Sequence, residues 1–509
     1  MLSAILAAAD AHPQVRADGP QVRLSAHFAD VEWKPAVASM GEAGFVAAWI
    51  GHEPGDVEPS AILRTFSPDG TAGAEVLGSR KGHKRLSGLT IGAGSDGTVV
   101  VAWVEQTEGE GDLGIEETVW FSIFNRDLRR RAGAVRVSRT TTEVVVSLSV
   151  AVLGDGTSMI TWSYLGPFGD DRFTPHSFVR VFREDGAAIT NELPVNPAVA
   201  TQDVFVTASA IDEAFLLTWR EGSGAAASLR LGRFQRDGVL RRTPVAYGER
   251  GAFAPAVAAA SDGGFVAVWN ADDDRGTGEY IPSVGLRAQA FTADDVPLDA
   301  PQYVNAFVPG LQHLHYVVRD GIGGYFVAWT SRFLDRFSSQ DGSGGGVFGR
   351  RLKSDGTPGG IELQLNTLVQ GDQGIAETRL GLAAHGGRIM AAWTDASVDP
   401  LPVHGSGVAG RWLTVRRGVG ALCADGHAHD LQVTIADALT ILRSAMAVDD
   451  CHQCLCDSDG SGSVTVADAG LALRRALGLK SPTSCPPCPS ALSFAAGHPV
   501  LPSATSDVR

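Results

Sequence analysis

The sequence predicts a mainly β fold: a seven-bladed β-propeller closed by an N-terminal strand, followed by a small α-helical domain. Three observations lead to it. A short strand ending in Trp recurs along the chain, the two ends of this repeat region supply complementary strands, and a different, helical repeat follows. The chain has 509 residues, enough for several domains. We divide it into a signal remnant or disordered terminus, the propeller, the helical domain and a disordered tail, at residues 1–19, 20–417, 423–488 and 489–509.

The Trp repeat consists of an apolar run that usually follows a Gly-rich turn. Its seven copies end at Trp49, Trp103, Trp162, Trp219, Trp269, Trp329 and Trp393, spaced 50 to 64 residues apart. The runs are too short for helices and rich in β-branched and aromatic residues, so they are predicted as buried strands. Other apolar runs accompany each copy, and four strands per repeat are typical of a propeller blade. The regular spacing favours packing tryptophans over a ligand-stacking face.

The ends of the repeat region fit together. The last repeat stops after its third strand, at Val408 to Thr414, while the run Gln21 to Ser25 precedes the first repeat. We expect these two runs to pair in one sheet, because closure removes an exposed sheet edge.

The repeats resemble a family found in secreted bacterial proteins, with the pattern P-x-V-A, D-G-G-F-V-V-x-W, an acidic Gly-rich loop, R-x-F-x-x-x-G and V-N-T. The best matches are Pro255 to Trp269 and Tyr325 to Thr367. The resemblance implies a propeller scaffold and no shared chemistry. The acids after the strands are interpreted as solvated, with Ca²⁺ binding as the other reading; they are Asp170, Asp171, Asp272, Asp273, Asp274, Asp335 and Asp341.

Composition and motifs exclude several functions. Acidic residues outnumber basic ones by 57 to 42, which argues against a nucleic-acid binder. No apolar run is long enough for a transmembrane helix. The motifs G-x-S-x-G, H-E-x-x-H and G-x-x-x-x-G-K-[ST] do not occur, and the G-x-G-x-x-G matches at 109–114 and 344–349 lie between predicted strands without the helix that a dinucleotide site needs. Carboxylates from different blades could still converge, so a glycosidase remains an alternative.

A second repeat occupies the C-terminal region. Residues 433–446 and 464–477 align at a period of 31, with eight of fourteen positions identical, and their apolar residues follow helical spacing. Between them, the run from Asp457 to Asp468 places oxygen-bearing side chains at loop positions 1, 3, 5, 9 and 12, with Gly462 at position 6. This is the arrangement of a calcium loop, because Ca²⁺ binds six to eight oxygen ligands.

The loop, its duplication and the single helix that follows each copy resemble a dockerin domain. This resemblance assigns Asp457, Asp459, Ser461, Thr465 and Asp468 as Ca²⁺ ligands, with Ser463 through its backbone. The first loop keeps only Asp430, Thr434 and Asp437, which predicts a weak or lost site. Dockerins bind cohesin domains in cellulosomes, so a cohesin-like partner is implied. The apolar pair Val466 and Ala467 at the recognition positions leaves that partner open.

All six cysteines lie in this region: Cys423, Cys451, Cys454, Cys456, Cys485 and Cys488. Three disulfides would stabilise a small secreted domain. The two C-x-x-C pairs could instead bind zinc, although their separation exceeds the usual spacing.

We therefore expect a secreted calcium-binding interaction or scaffold protein, with the propeller as a binding face and the dockerin-like module as a tether. Its partner would be a cohesin-like or other extracellular protein, or a polysaccharide. The first alternative is a propeller glycoside hydrolase or lyase carrying the same module. The second is an intracellular zinc-dependent interaction protein. No residue is assigned a catalytic role.

Overall fold

The structure is a computed structural model that describes residues 14–26, 32–52, 58–80, 85–109, 114–139, 141–165, 176–209, 213–273, 275, 283–332, 340–374, 380–396, 406–416, 435–446 and 456–477. The chain forms two compact units. One spans Gln14–Val415, and the other combines Met1–Pro13 with Arg416–Arg509. In the described part of the chain, no helix has the length and apolar character needed to cross a membrane.

The unit Gln14–Val415 is a β-propeller whose described strands pair in antiparallel fashion apart from one parallel bridge. Five of its sheets have four or five strands, and the sixth has eight. The four sheets of four strands are Trp33–Ser39, Phe45–Gly51, Ser60–Phe66 and Ala72–Leu77; Arg85–Ala93, Val99–Glu108, Ile115–Phe124 and Arg130–Arg136; Val144–Val152, Ser158–Leu165, His176–Phe182 and Leu193–Pro194; and Thr201–Ser209, Ala214–Glu221, Ser228–Phe234 and Val245–Tyr247.

The eight-stranded sheet contains Phe253–Ala259, Phe265–Asp272, Val284–Phe291, Gln302–Tyr303, Leu311–Arg319, Gly324–Arg332, Gly346–Lys353 and Leu363–Gln364. The five-stranded sheet contains Gln14–Ala17, Val22–Arg23, Gly381–His385, Arg388–Asp395 and Gly407–Arg416. Two short 3-10 helices, Gly41–Ala43 and Gly224–Ala226, lie in connections.

The prediction of a seven-bladed propeller is wrong, because the described strands form five blade-sized sheets and one larger sheet. The repeats that end at Trp269 and Trp329 share the eight-stranded sheet. A parallel bridge between Val284 and Leu311 joins them, and the Val284 N–H donates to the carbonyl of Gly310 at 3.1 Å. Hydrogen bonds between strand edges determine which strands belong to one sheet. The sequence pattern shows the number of repeats, but it does not show whether two repeats join into one sheet.

The repeated tryptophans lie on the second strand of each repeat, between two hydrogen-bonded neighbours. All seven are at most 1% exposed. These strands are covered on both faces, which is why they have continuous apolar runs rather than an alternating pattern. The interpretation of the tryptophans as packing residues is confirmed.

An arginine on the third strand connects several repeats to the preceding one, a contact we call the arginine clamp. Its guanidinium donates to the carbonyl of the first residue after the preceding fourth strand. The pairs are Arg64 with Leu24 at 2.7 Å, Arg180 with Val137 at 2.7 Å, Arg350 with Val304 at 2.9 Å and Arg411 with Leu365 at 3.0 Å. In the Trp103 repeat, Ser122 stands at the position of the clamp arginine, opposite Val101. There Arg130, from the fourth strand, donates to the Ser122 hydroxyl and to the carbonyl of Ser79.

The five-stranded sheet contains strands from both ends of the propeller unit. Val22 pairs with Gly410 and Arg23 pairs with Ala409, as the complementary ends of the repeat region require. The Leu24 N–H extends this pairing to the carbonyl of Val408 at 2.9 Å.

The second unit contains two described α-helices, Ile435–Ala445 and Val466–Ala476, which pack against each other. Their buried apolar side chains, among the described residues, are Ala438, Ile441, Ala469 and Ala472. The predicted small α-helical domain is therefore matched only loosely, since each of these helices has 11 residues.

Candidate functional sites

The loop before helix Val466–Ala476 brings three carboxylates together. One ligand atom each from Asp457, Asp459 and Asp468 lies within 4.8 Å of the others. Asp457 and Asp468 are fully buried, whereas Asp459 is exposed. Burying like charges together is unfavourable unless a cation or hydrogen-bond donors compensate them, so this is the candidate metal centre of the described residues.

Backbone amides hold the carboxylates in place. Asp457 accepts from the N–H groups of Ser461 at 2.9 Å and Gly462 at 2.8 Å, while Asp468 accepts from those of Asp459 at 2.9 Å and Thr465 at 2.7 Å. Gly462 has φ of 93°, a left-handed conformation that favours glycine at this turn. Hydrogen bonding from Ser461 lowers the pKa of Asp459.

The other predicted ligands of this loop lie among the same carboxylates. The Ser461 hydroxyl donates to the carbonyl of Ser463 at 3.2 Å, and the Thr465 hydroxyl donates to Asp468 at 2.9 Å. Thr465 also precedes the helix, where the Asp468 carboxylate accepts its N–H as in a capping box. One loop thus combines the carboxylate cluster with the helix start.

Several predicted residues lie outside the described part of the chain. Of the first loop, Asp430 and Thr434 are not described, and Asp437 is described only as a backbone position in helix Ile435–Ala445. Five of the six cysteines also lie outside the described residues: Cys423, Cys451, Cys454, Cys485 and Cys488. Cys456 is fully buried, and no free cysteine occurs among the described residues. The choice between disulfides and zinc remains a prediction.

The acids after the Trp strands are only partly solvated. Asp273 is buried and accepts two hydrogen bonds from the Arg275 guanidinium, at 2.8 and 2.5 Å, and one from Asn305 at 3.3 Å. Asp341 accepts from Asn366 at 2.7 Å. Both asparagines belong to the repeated V-N or L-N dipeptide, so two repeated motifs contact each other. The sequence analysis did not predict the hydrogen bonds between these acids and asparagines. Asp272 is exposed, as expected for a solvated acid. The remaining predicted acids lie outside the described residues: Asp170, Asp171, Asp274 and Asp335.

An axial cavity of about 270 Å³ is lined by the first strands of the repeats. Most of its lining is apolar, and among the lining residues Lys34 and Asp203 carry the charges. Lys34, Asp203, Ala254 and Leu314 all line it with left-handed φ angles of 57°, 56°, 48° and 54°. Its described lining contains no pair of carboxylates of the kind that glycoside hydrolysis uses.

A second cavity, of about 580 Å³, has four charged residues among the seven that line it, and we call it the charged cavity. It is lined by Gly248, Glu249, Arg250, Gly251, Asp272, Arg287 and Pro301. The Trp269 indole N–H donates to Glu249 at 2.8 Å, and the Arg287 Nε lies 3.4 Å from the same carboxylate. Arg287 also donates to the Tyr303 hydroxyl at 2.8 Å. Sequence reasoning missed this site, because its residues come from four separate segments.

Comparisons with known proteins identify no family. No family model matches the chain, and no curated protein matches it. Among solved structures, a protein of unknown function from Dyadobacter fermentans has 10% identity and a TM-score of 0.45, covering 79% of this chain and 99% of its own. An α-L-arabinofuranosidase of Fusarium graminearum has 12% identity and a TM-score of 0.41, covering 66% and 95%.

The NanB sialidase of Streptococcus pneumoniae has 8% identity and a TM-score of 0.39, covering 78% of this chain and 71% of its own. At these identities and TM-scores, no activity of this chain follows from the similarity.

Proposed function

We propose that this protein is a secreted calcium-binding interaction protein, in which the propeller offers a binding face and the C-terminal module serves as a tether. The observation that carries the proposal is the convergence of Asp457, Asp459 and Asp468 within 4.8 Å. Hard carboxylate, hydroxyl and carbonyl oxygens are the ligands that Ca²⁺ prefers. Ser461, Ser463 and Thr465 add such oxygens to the same loop, so the residues fit this ion.

Calcium would act structurally. A bound ion would neutralise carboxylates that otherwise repel each other at the start of helix Val466–Ala476, and would thereby stabilise this module by linkage. With three carboxylates, we expect a dissociation constant of about 0.1 to 1 mM, the range of extracellular modules. At a concentration 100 times the dissociation constant, the stabilisation would be about 2.7 kcal/mol.

The test is calcium titration of the chelator-treated, full-length protein by calorimetry, with thermal unfolding at several calcium concentrations. Asp468→Asn should abolish binding and the calcium-dependent rise in melting temperature, while its amide oxygen can still accept the Thr465 N–H. Asp294→Asn is the control, because Asp294 is 89% exposed on the propeller. Unchanged calcium binding by the Asp468→Asn protein would refute the ligand assignment.

The secretion and cysteine parts of the proposal have their own test. Intact mass measurement without reductant should find the six cysteines oxidised and no bound zinc. Bound zinc with free thiols would instead support the intracellular alternative.

The second candidate function is a glycoside hydrolase or lyase. It is favoured by Glu249 and Asp272, two carboxylates that line the charged cavity together with Arg250 and Arg287. Paired carboxylates are what glycosidases use as acid and nucleophile or base. Release of reducing ends from a panel of polysaccharides, lost in Glu249→Gln and retained in Glu213→Gln, would establish this function. Glu213 is a suitable control because it is 68% exposed and pairs with Arg236.

A further inference from the structure

The charged cavity lies between two neighbouring repeats that lack the clamp arginine. The clamp position lies opposite the residue two before the repeated Trp, as in the pairing of Arg350 with Val327. In the neighbouring repeats of Trp219 and Trp269 this position holds Gly232 and Gln289, so the clamp is missing from both. The arginines of these repeats, Arg230 and Arg287, instead lie directly opposite the tryptophans.

The missing clamp and the cavity coincide. Clamp arginines reach the first residue after the preceding fourth strand, and the equivalent residue here is Gly248, which follows Val245–Tyr247. Gly248 lines the charged cavity, together with Arg287. Space that a clamp arginine fills between other repeats is therefore open between these two.

The Arg287 guanidinium is held at the cavity wall with hydrogen-bonding capacity to spare. Its Cζ lies 3.4 Å from the centroid of the Tyr303 ring, and Arg275 approaches the same ring at 3.6 Å. The Nε of Arg287 is buried and forms an ion pair with Glu249 at 3.4 Å, and its Nη2 donates to the Tyr303 hydroxyl. Its Nη1 makes no hydrogen bond to the described residues, so this nitrogen can donate to a ligand acceptor in the cavity.

The lining restricts the chemistry of such a ligand. Two guanidinium groups favour a planar carboxylate, which arginine can bind through two parallel hydrogen bonds. Glu249 and Asp272 can accept hydrogen bonds from the hydroxyl groups of a ligand, and their charges repel a dianionic phosphate more strongly than a monoanionic carboxylate. About 580 Å³ of open space accommodates a mono- or disaccharide. We propose that the charged cavity binds a sugar acid, either free or as a uronate residue of a polysaccharide.

This proposal specifies a ligand for the propeller and depends on neither calcium binding nor catalysis. The experiment uses the full-length protein in calcium-free buffer, titrated by calorimetry and ligand-observed NMR with D-glucuronate, a trigalacturonate, D-glucose and acetate. We expect D-glucuronate or trigalacturonate to bind at least tenfold more tightly than D-glucose and acetate. Binding of trigalacturonate alone would identify polymeric uronate as the source.

Two variants locate the site. Arg250→Gln changes an exposed cavity residue and should weaken binding at least tenfold, as should Arg287→Gln. Arg183→Gln, at an exposed turn away from the cavity lining, should bind as the unmodified protein does. If Arg287→Gln lowers the melting temperature, the Arg250→Gln result decides. Equal binding of D-glucose and D-glucuronate, no binding of either acid, or unchanged binding by Arg250→Gln would overturn the proposal.

Discussion

Replacing Arg233 by Met tests how the propeller unit joins neighbouring repeats through buried charge. Arg233 and Asp295 have 2% and 3% of their side chains exposed, and Arg233 Nε lies 2.8 Å from Asp295 Oδ1. Arg233 also donates to the carbonyl of Gly263 at 2.8 Å. These contacts connect the third strand of the Trp219 repeat to two turns of the Trp269 repeat.

Removal of one partner from a buried pair costs about 3 to 5 kcal/mol, because the other charge remains without compensation. Here Arg242 lies 3.0 Å from Asp295 and remains after the substitution. We therefore expect Arg233→Met to lower the free energy of unfolding by about 3 kcal/mol, at the lower end of that range.

The measurement is equilibrium unfolding in guanidinium chloride, followed by fluorescence of the buried tryptophans. Arg183→Met, at an exposed turn, is the matched control and should change stability by less than about 0.5 kcal/mol. The double variant Arg233→Met/Asp295→Asn should lose less than the sum of the single variants. A loss below about 1 kcal/mol for Arg233→Met, or additive effects in the double variant, would refute the reasoning.

Three further substitutions follow from the structure. Trp269→Phe should cost about 1 to 2 kcal/mol more than Trp103→Phe in denaturant unfolding, because the Trp269 indole N–H donates to Glu249 whereas that of Trp103 makes no hydrogen bond in the described structure. Desolvation lowers the pKa of His313 from 6.5 to about 4, and Arg332 adds to the shift. The free energy of unfolding should therefore fall as the pH is lowered from 6.5 to about 4, because the unfolded state takes up a proton that the folded state does not. His313→Gln should reduce that fall, measured by denaturant unfolding at several pH values. Burial raises the pKa of Glu32 above its ordinary value of 4.5, so the stability of the unmodified protein relative to Glu32→Gln should decline as the pH rises through that raised pKa; a pH-independent difference would contradict this.

Local patterns in the sequence were sufficient for the strands and for one loop. The apolar runs ending in Trp became buried second strands because a continuous apolar stretch bounded by turns has few alternatives. The pairing of Val22 with Gly410 followed from a missing fourth strand at one end and a surplus strand at the other. The convergence of Asp457 and Asp468 also followed from local spacing, since one short loop carries both.

The sheets, the clamps and the charged cavity were decided by tertiary structure. The bridge between Val284 and Leu311 merged two repeats into one sheet through contacts between strand edges, which no residue pattern marks. Strand register shows that Gln289 takes the position that the clamp arginine Arg350 has in the next repeat. Glu249 and Arg287 meet from different repeats. Sequence spacing determines which neighbours a side chain has within one element, whereas the packing of separate elements determines which distant charges share a cavity.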